Sequence, residues 1–216
     1  LSAQNPPRVI SYLEVYDLET RSHQVIKEFP FLIEAPNWTS DGKWLVINKN
    51  GCLYKVAPDG STDLVEISTG AVTQCNNDHV ISADGKWIAL SSGDPNEKGW
   101  NSYVYTVPFE GGDPKKITPL GPSYLHGISP DGKKICWVSM ERDGYEADKQ
   151  RLMIASVTWN GGSMPVIGDI KDITAGFKYN VSGPSWAADS KGIYFASLAE
   201  GLQGMFEAVC DGGEWK

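Results

Sequence analysis

Apolar positions along this chain come in runs of four to six residues, each bracketed by polar turn formers. Trp44-Leu45-Val46-Ile47 follows Thr39-Ser40-Asp41-Gly42-Lys43, and Ile135-Cys136-Trp137-Val138 follows Ser129-Pro130-Asp131-Gly132-Lys133-Lys134. Runs of that length between Asp-Gly turns predict short buried strands. No window of eleven or more residues carries an apolar stripe at helical spacing without a Gly or Pro breaking it, so the pattern predicts an all-β chain.

The pattern repeats. Trp38-Thr39-Ser40-Asp41-Gly42-Lys43-Trp44-Leu45-Val46 returns as Ile81-Ser82-Ala83-Asp84-Gly85-Lys86-Trp87-Ile88-Ala89 and as Ile128-Ser129-Pro130-Asp131-Gly132-Lys133-Lys134-Ile135-Cys136. A fourth copy, Trp186-Ala187-Ala188-Asp189-Ser190-Lys191-Gly192-Ile193-Tyr194, has lost the turn glycine. The four aspartates are 43, 47 and 58 residues apart. In each repeat a strand precedes the turn, an apolar strand follows it, and a third strand ends in a second turn such as Pro58-Asp59-Gly60, Glu110-Gly111-Gly112, Asn160-Gly161-Gly162 or Asp211-Gly212-Gly213. A fourth strand completes the unit, and four strands in about 40 to 50 residues is the arithmetic of a propeller blade. The longer repeats carry their excess between second and third strands, at Asp94 to Asn101 and Glu141 to Gln150. Ile10 to Tyr16 and Gln24 to Lys27 match the last two strands of a further blade.

One domain over 1–216 is expected: a half-blade at 9–28, then repeats at about 35–70, 76–118, 124–173 and 180–216. The recurring Ser-Pro-Asp-Gly-Lys style of turn resembles the TolB-like propellers, a WD-like repeat family. Glu34-Ala35-Pro36-Asn37-Trp38, Cys75-Asn76-Asn77-Asp78-His79 and Ser123-Tyr124-Leu125-His126-Gly127 are similar to the small stand-alone bacterial members. The resemblance implies a six-bladed ring whose first blade is completed by strands returning from the C-terminus. About four blades and part of a fifth are represented here, so residues beyond Lys216 or a partner chain are expected to close the ring.

Composition supports strands and turns. Glycine (23) and proline (13) make up a sixth of 216 residues, against about 12% on average, and there are eight tryptophans. A net charge of −8 opposes a phosphate backbone, so nucleic acid is not an expected partner. No apolar run approaches the ~20 residues of a membrane span. Cys52, Cys75, Cys136 and Cys210 form no Cys-x-x-Cys motif, and three pairings stay open. The compartment is not fixed by the sequence; export is favoured over the cytoplasm.

Candidate chemistry falls on the first strand of each repeat, which lines the channel in a propeller. His79 and His126 both stand five residues before a turn aspartate, in adjacent repeats. They are expected to face one polar cavity, with Asn77, Tyr124 and Asn180 as further ligand-binding residues. Asp78 is set aside, because alternation turns it away from His79. His79 and His126 are also the metal candidates, imidazole being a common divalent-ion ligand. Oligogalacturonate lyases give a precedent by resemblance, a propeller channel with histidine-bound manganese. No cofactor is expected, and a weakly held divalent ion is the alternative. Trp100 and Trp159 sit in or beside loops and suit ligand contact, whereas Trp38, Trp44, Trp87 and Trp186 suit blade packing.

No Gly-x-Ser-x-Gly elbow, His-Glu-x-x-His pair or phosphate loop is present. The leading expectation is a non-enzymatic binding propeller for a protein, peptide or glycan. The alternative is a metal-dependent lyase or hydrolase acting on acidic polysaccharide through His79 and His126. A third is a regulatory propeller attached to a catalytic domain.

Overall fold

The repeated turn is built the same way three times. The Thr39, Ser82 and Ser129 hydroxyls donate to Asp41, Asp84 and Asp131 Oδ1 at 2.7, 2.6 and 2.6 Å. The same hydroxyls accept from the N–H of Trp44, Trp87 and Lys134 at 2.9–3.0 Å. The carboxylate also accepts the backbone N–H two residues on, from Lys43, Lys86 and Lys133. Gly42, Gly85 and Gly132 adopt φ of 70–71°, the left-handed conformation that glycine enters without a Cβ penalty. The fourth turn keeps the shape with weaker chemistry: Ala187 has no hydroxyl, and Ser190 holds φ 62° where the others have glycine. Ser190 has a second task, since its Oγ accepts from Asp131 N at 3.0 Å in the preceding repeat.

These turns organise an all-β chain, seen in a computed structural model that describes residues 9–96, 101–119, 121–142, 145, 147–160 and 163–216. The strands are β1 (Ser11–Asp17), β2 (Ser22–Phe29), β3 (Glu34–Trp38), β4 (Leu45–Lys49), β5 (Cys52–Val56) and β6 (Val65–Ile67). Next come β7 (Cys75–Ile81), β8 (Trp87–Gly93), β9 (Ser102–Pro108), β10 (Lys115–Lys116), β11 (Ser123–Ile128) and β12 (Lys134–Ser139). The last are β13 (Arg151–Asn160), β14 (Ser163–Asp172), β15 (Ser182–Trp186), β16 (Gly192–Ala199), β17 (Leu202–Asp211) and β18 (Glu214–Trp215). They form a two-stranded sheet, β1-β2, and four antiparallel four-stranded sheets taken in sequence order, β3 to β6, β7 to β10, β11 to β14 and β15 to β18. We call the four blades one to four.

The first strands β3, β7, β11 and β15 neighbour one another along the row, which places them at the axis of the arc. Blades meet through apolar seams. Leu13, Phe29, Leu45 and Val56 join the half-blade to blade one; Val46, Leu53, Ile67, Ile88, Leu90 and Tyr103 join blades one and two. Ala89, Val104, Leu125, Ile135 and Trp137 fill the next seam, and Cys136, Val138, Leu152, Ile193 and Phe195 the last. Each fully buried aliphatic side chain contributes about 1.5–3 kcal/mol, so the seams rather than the turns carry the stability. Ile88, Ala89 and Leu90 are each 0% exposed and pair with Val107, Thr106 and Tyr105, as the repeat pattern requires of a second strand.

The blades differ where the sequence varies. Asn50-Gly51 (φ 50°, 78°) and Glu200-Gly201 (φ 51°, 81°) make tight two-residue hairpins between second and third strands in blades one and four. All four cysteines are free thiols, and burial pushes Cys75 up to about 11 and Cys136 to about 12. Trp159, expected as a ligand contact, instead donates its indole N–H to Gly132 O at 2.7 Å and braces a turn. Trp100 lies outside the described residues.

Candidate functional site

Each first strand is interrupted by a β-bulge. In β7, Cys75 pairs with Ser92 and His79 with Leu90, so three residues oppose one. In β11, Leu125 pairs with Trp137 and Gly127 with Cys136, leaving His126 as the extra residue. In β15, Ser182 pairs with Ala196 and Ser185 with Tyr194. Bulged residues leave the ladder and re-aim their side chains. The bulges of three successive blades point at one place, and Asp78, His126 and Gly183 all line a pocket of about 240 Å³ at the inner edge of blades two to four. Tyr124, Gln150 and Ser182 complete its polar wall, with Val138 and Val181 as the apolar part.

The five residues expected at the channel divide. Tyr124 and His126 line the pocket. Asn180 supports its rim, its Oδ1 accepting from Gln150 N at 3.0 Å. Asn77 belongs to the seam with blade one, where its Nδ2 donates to Glu34 Oε1 at 3.1 Å. His79 is 2% exposed and stays out of the pocket; its Nε2 donates to Val46 O at 3.3 Å. The shared cavity expected for the two imidazoles is therefore corrected. His79 and His126 have the same offset from their turns, but His79 is held in the ladder opposite Leu90 whereas His126 is expelled from it by the bulge. Alternation, which separates Asp78 from His79, is what delivers Asp78 to the pocket.

The electrostatics follow from burial. Desolvation raises the Asp78 carboxyl, opposed by hydrogen bonds from Asn76 and Ser91; Asn76 Nδ2 donates to its Oδ2 at 3.0 Å. His126, which opens to the pocket, is lowered by desolvation. His79 is lowered for the same reason, the hydrogen bond to Val46 opposing. Neighbouring cations turn away: Lys149 Nζ donates to Thr174 O at 2.9 Å and Arg151 Nη2 to Met140 O at 2.9 Å. Among the described residues no three His, Cys, Asp or Glu side chains converge as metal ligands, and His79 and His126 do not share the pocket. The arrangement offers hydrogen-bond acceptors, one carboxylate and an aromatic ring to a small group entering from the channel.

No protein-family model matches the chain. An uncharacterised protein of Agrobacterium fabrum is 34% identical over 203 residues, 94% of this chain and 63% of that protein. The dipeptidyl-peptidase 5 of Porphyromonas gingivalis is 35% identical over 139 residues, 62% of this chain but only 19% of the peptidase. The chain thus spans under two thirds of the first relative and about a fifth of the second. Among solved structures, one described as a candidate TolB from Agrobacterium tumefaciens superposes with a TM-score of 0.74 at 29% identity, covering 98% of this chain and 70% of its own. With successive four-stranded blades, first strands at the axis and this structural neighbour, the chain is a β-propeller of TolB-like type.

Proposed function

We propose that this propeller is a non-enzymatic binding module that takes up a protein or peptide segment, with a glycan as the other ligand class, at the polar pocket on its channel. The observation that carries the reading is the convergence of three bulges on one pocket, which gives Asp78, Tyr124, His126, Gln150 and Ser182 a common focus. Two features support binding over turnover. His79, the second residue of the proposed metal-dependent lyase or hydrolase site, is committed to Val46 O, and His126 has no second imidazole beside it. The similarity to a dipeptidyl-peptidase favours a second reading, in which the same pocket admits peptide beside a catalytic domain. Both readings make the ligand a peptide and differ in whether it is cleaved. An exported location belongs to the same reading and is checked by cell fractionation.

The test is a peptide array and a glycan array probed with the purified chain and with Tyr124→Ala. Binding that weakens at least tenfold in Tyr124→Ala, with the ligand recovered intact, supports the binding module. Ligands bound equally by the variant, or none bound at all, would overturn it.

A further inference from the structure

We infer that the pocket recognises a primary ammonium group, supplied by a lysine side chain or a free amino terminus; this rests on the binding reading above. The wall is one-sided in charge. Among the described residues Asp78 is its one acidic residue and no Lys or Arg lines it, and the chain neighbours Lys149 and Arg151 each direct a donor to a carbonyl, of Thr174 and Met140. Everything else on the polar wall has an atom that can accept a hydrogen bond: the Tyr124 and Ser182 hydroxyls, the Gln150 carbonyl and, in its unprotonated form, the His126 ring. An ammonium group has three donors and no acceptor, so it matches a carboxylate flanked by neutral acceptors, and Tyr124 adds a ring face that attracts cations. An anionic ligand would meet Asp78 with no compensating cation, and the chain's net charge of −8 would repel it from a distance.

Asp78 also shows a cost that such a ligand would relieve. Its carboxylate is half-buried, with Asn76 Nδ2 on one oxygen, and burial makes the charged form unfavourable in the folded chain. A group whose folded pKa is raised destabilises the fold above that pKa and has no effect below its unfolded pKa. Neutral Asp78→Asn is therefore expected to raise the melting temperature at neutral pH while removing the ligand's counter-ion. Better stability with lost binding is a combination that a merely structural aspartate would not give.

The experiment is calorimetric titration at low salt and about pH 7.5 with three tripeptides, all blocked at the carboxyl terminus. One is Ala-Lys-Ala blocked at both ends, one is Ala-Ala-Ala with a free amino terminus, and one is Ala-Ala-Ala blocked at both ends. The inference expects the first or second to bind, naming the source of the ammonium, and the third to bind at least tenfold more weakly. Asp78→Asn should lose at least tenfold in affinity while melting higher, and Gln150→Lys, which brings a like charge to the wall, should lose a similar factor. Equal binding of the blocked trialanine, or unchanged affinity in both variants, would overturn the ammonium assignment. If neutral peptides bind and Tyr124→Ala abolishes this, the binding module stands and the ammonium assignment alone fails. If no peptide and no glycan binds, both fail.

Discussion

Gly51→Ala should be far more damaging than Gly201→Ala, although the two glycines occupy the same position of the same hairpin in blades one and four. Both adopt the left-handed conformation, φ 78° and 81°, which costs a non-glycine residue about 1–2 kcal/mol. Their surroundings differ. A Cβ at Gly201 meets nothing within 4 Å, whereas one at Gly51 would overlap the Thr73 carbonyl oxygen and approach Gln74 Cα to 3.2 Å. That neighbouring backbone cannot easily retreat, because Cys75 N donates to Gly51 O at 2.9 Å and leads directly into β7. Overpacking against fixed backbone adds about 1–3 kcal/mol, so the totals are about 1–2 kcal/mol for Gly201→Ala and about 2–5 kcal/mol for Gly51→Ala. For a chain of this size each kcal/mol moves the melting temperature by about 2–4 °C. Scanning calorimetry should therefore separate the variants by several degrees, and urea midpoints should follow the same order. Equal losses would refute the reasoning, because they would show that the contact between hairpin tip and β7 carries no energy.

Three further outcomes are expected. Ser82→Ala, which removes the donor to Asp84 and leaves the buried turn N–H of Trp87 unpaired, should cost about 1–3 kcal/mol by urea unfolding. Ala187→Ser, which restores the missing hydroxyl in blade four, should gain about 0.5–1.5 kcal/mol in the same assay. Acid should destabilise the fold through His79 and His126: both are held below their ordinary pKa by burial, so the unfolded chain binds these protons more readily and stability, complete above about pH 6.5, falls as the pH drops. The slope of melting temperature against pH between about 7.5 and 5 should be shallower in His79→Gln than in the wild type.

Blade order was legible because the Asp-Gly-Lys turn leaves a chemical signature: a hydroxyl two residues before the aspartate, a glycine after it, and an apolar run beyond. The site was only half legible. Tyr124 and His126 could be placed on an inner strand by counting back from Asp131, yet the same count from Asp84 put His79 into the channel. What spoils the count is the bulge, which lies at different distances from the turn in β7 and β11 and has no fixed residue signature. Asp78 had a usable signal, since whichever way His79 points Asp78 points the other. Gln150 and Ser182 had none, for they enter the pocket from a loop end and from the next blade.

The most direct test of the central claim follows one ligand through the pocket. The tightest-binding array peptide, labelled with a fluorophore away from its binding residues, is titrated by anisotropy against the wild type and Tyr124→Ala, and the incubated peptide is then weighed by mass spectrometry. The account predicts saturable binding to the wild type, at least tenfold weaker binding to the variant, and a peptide of unchanged mass. Cleavage of the peptide by the purified chain, or identical curves for the two proteins, would contradict it.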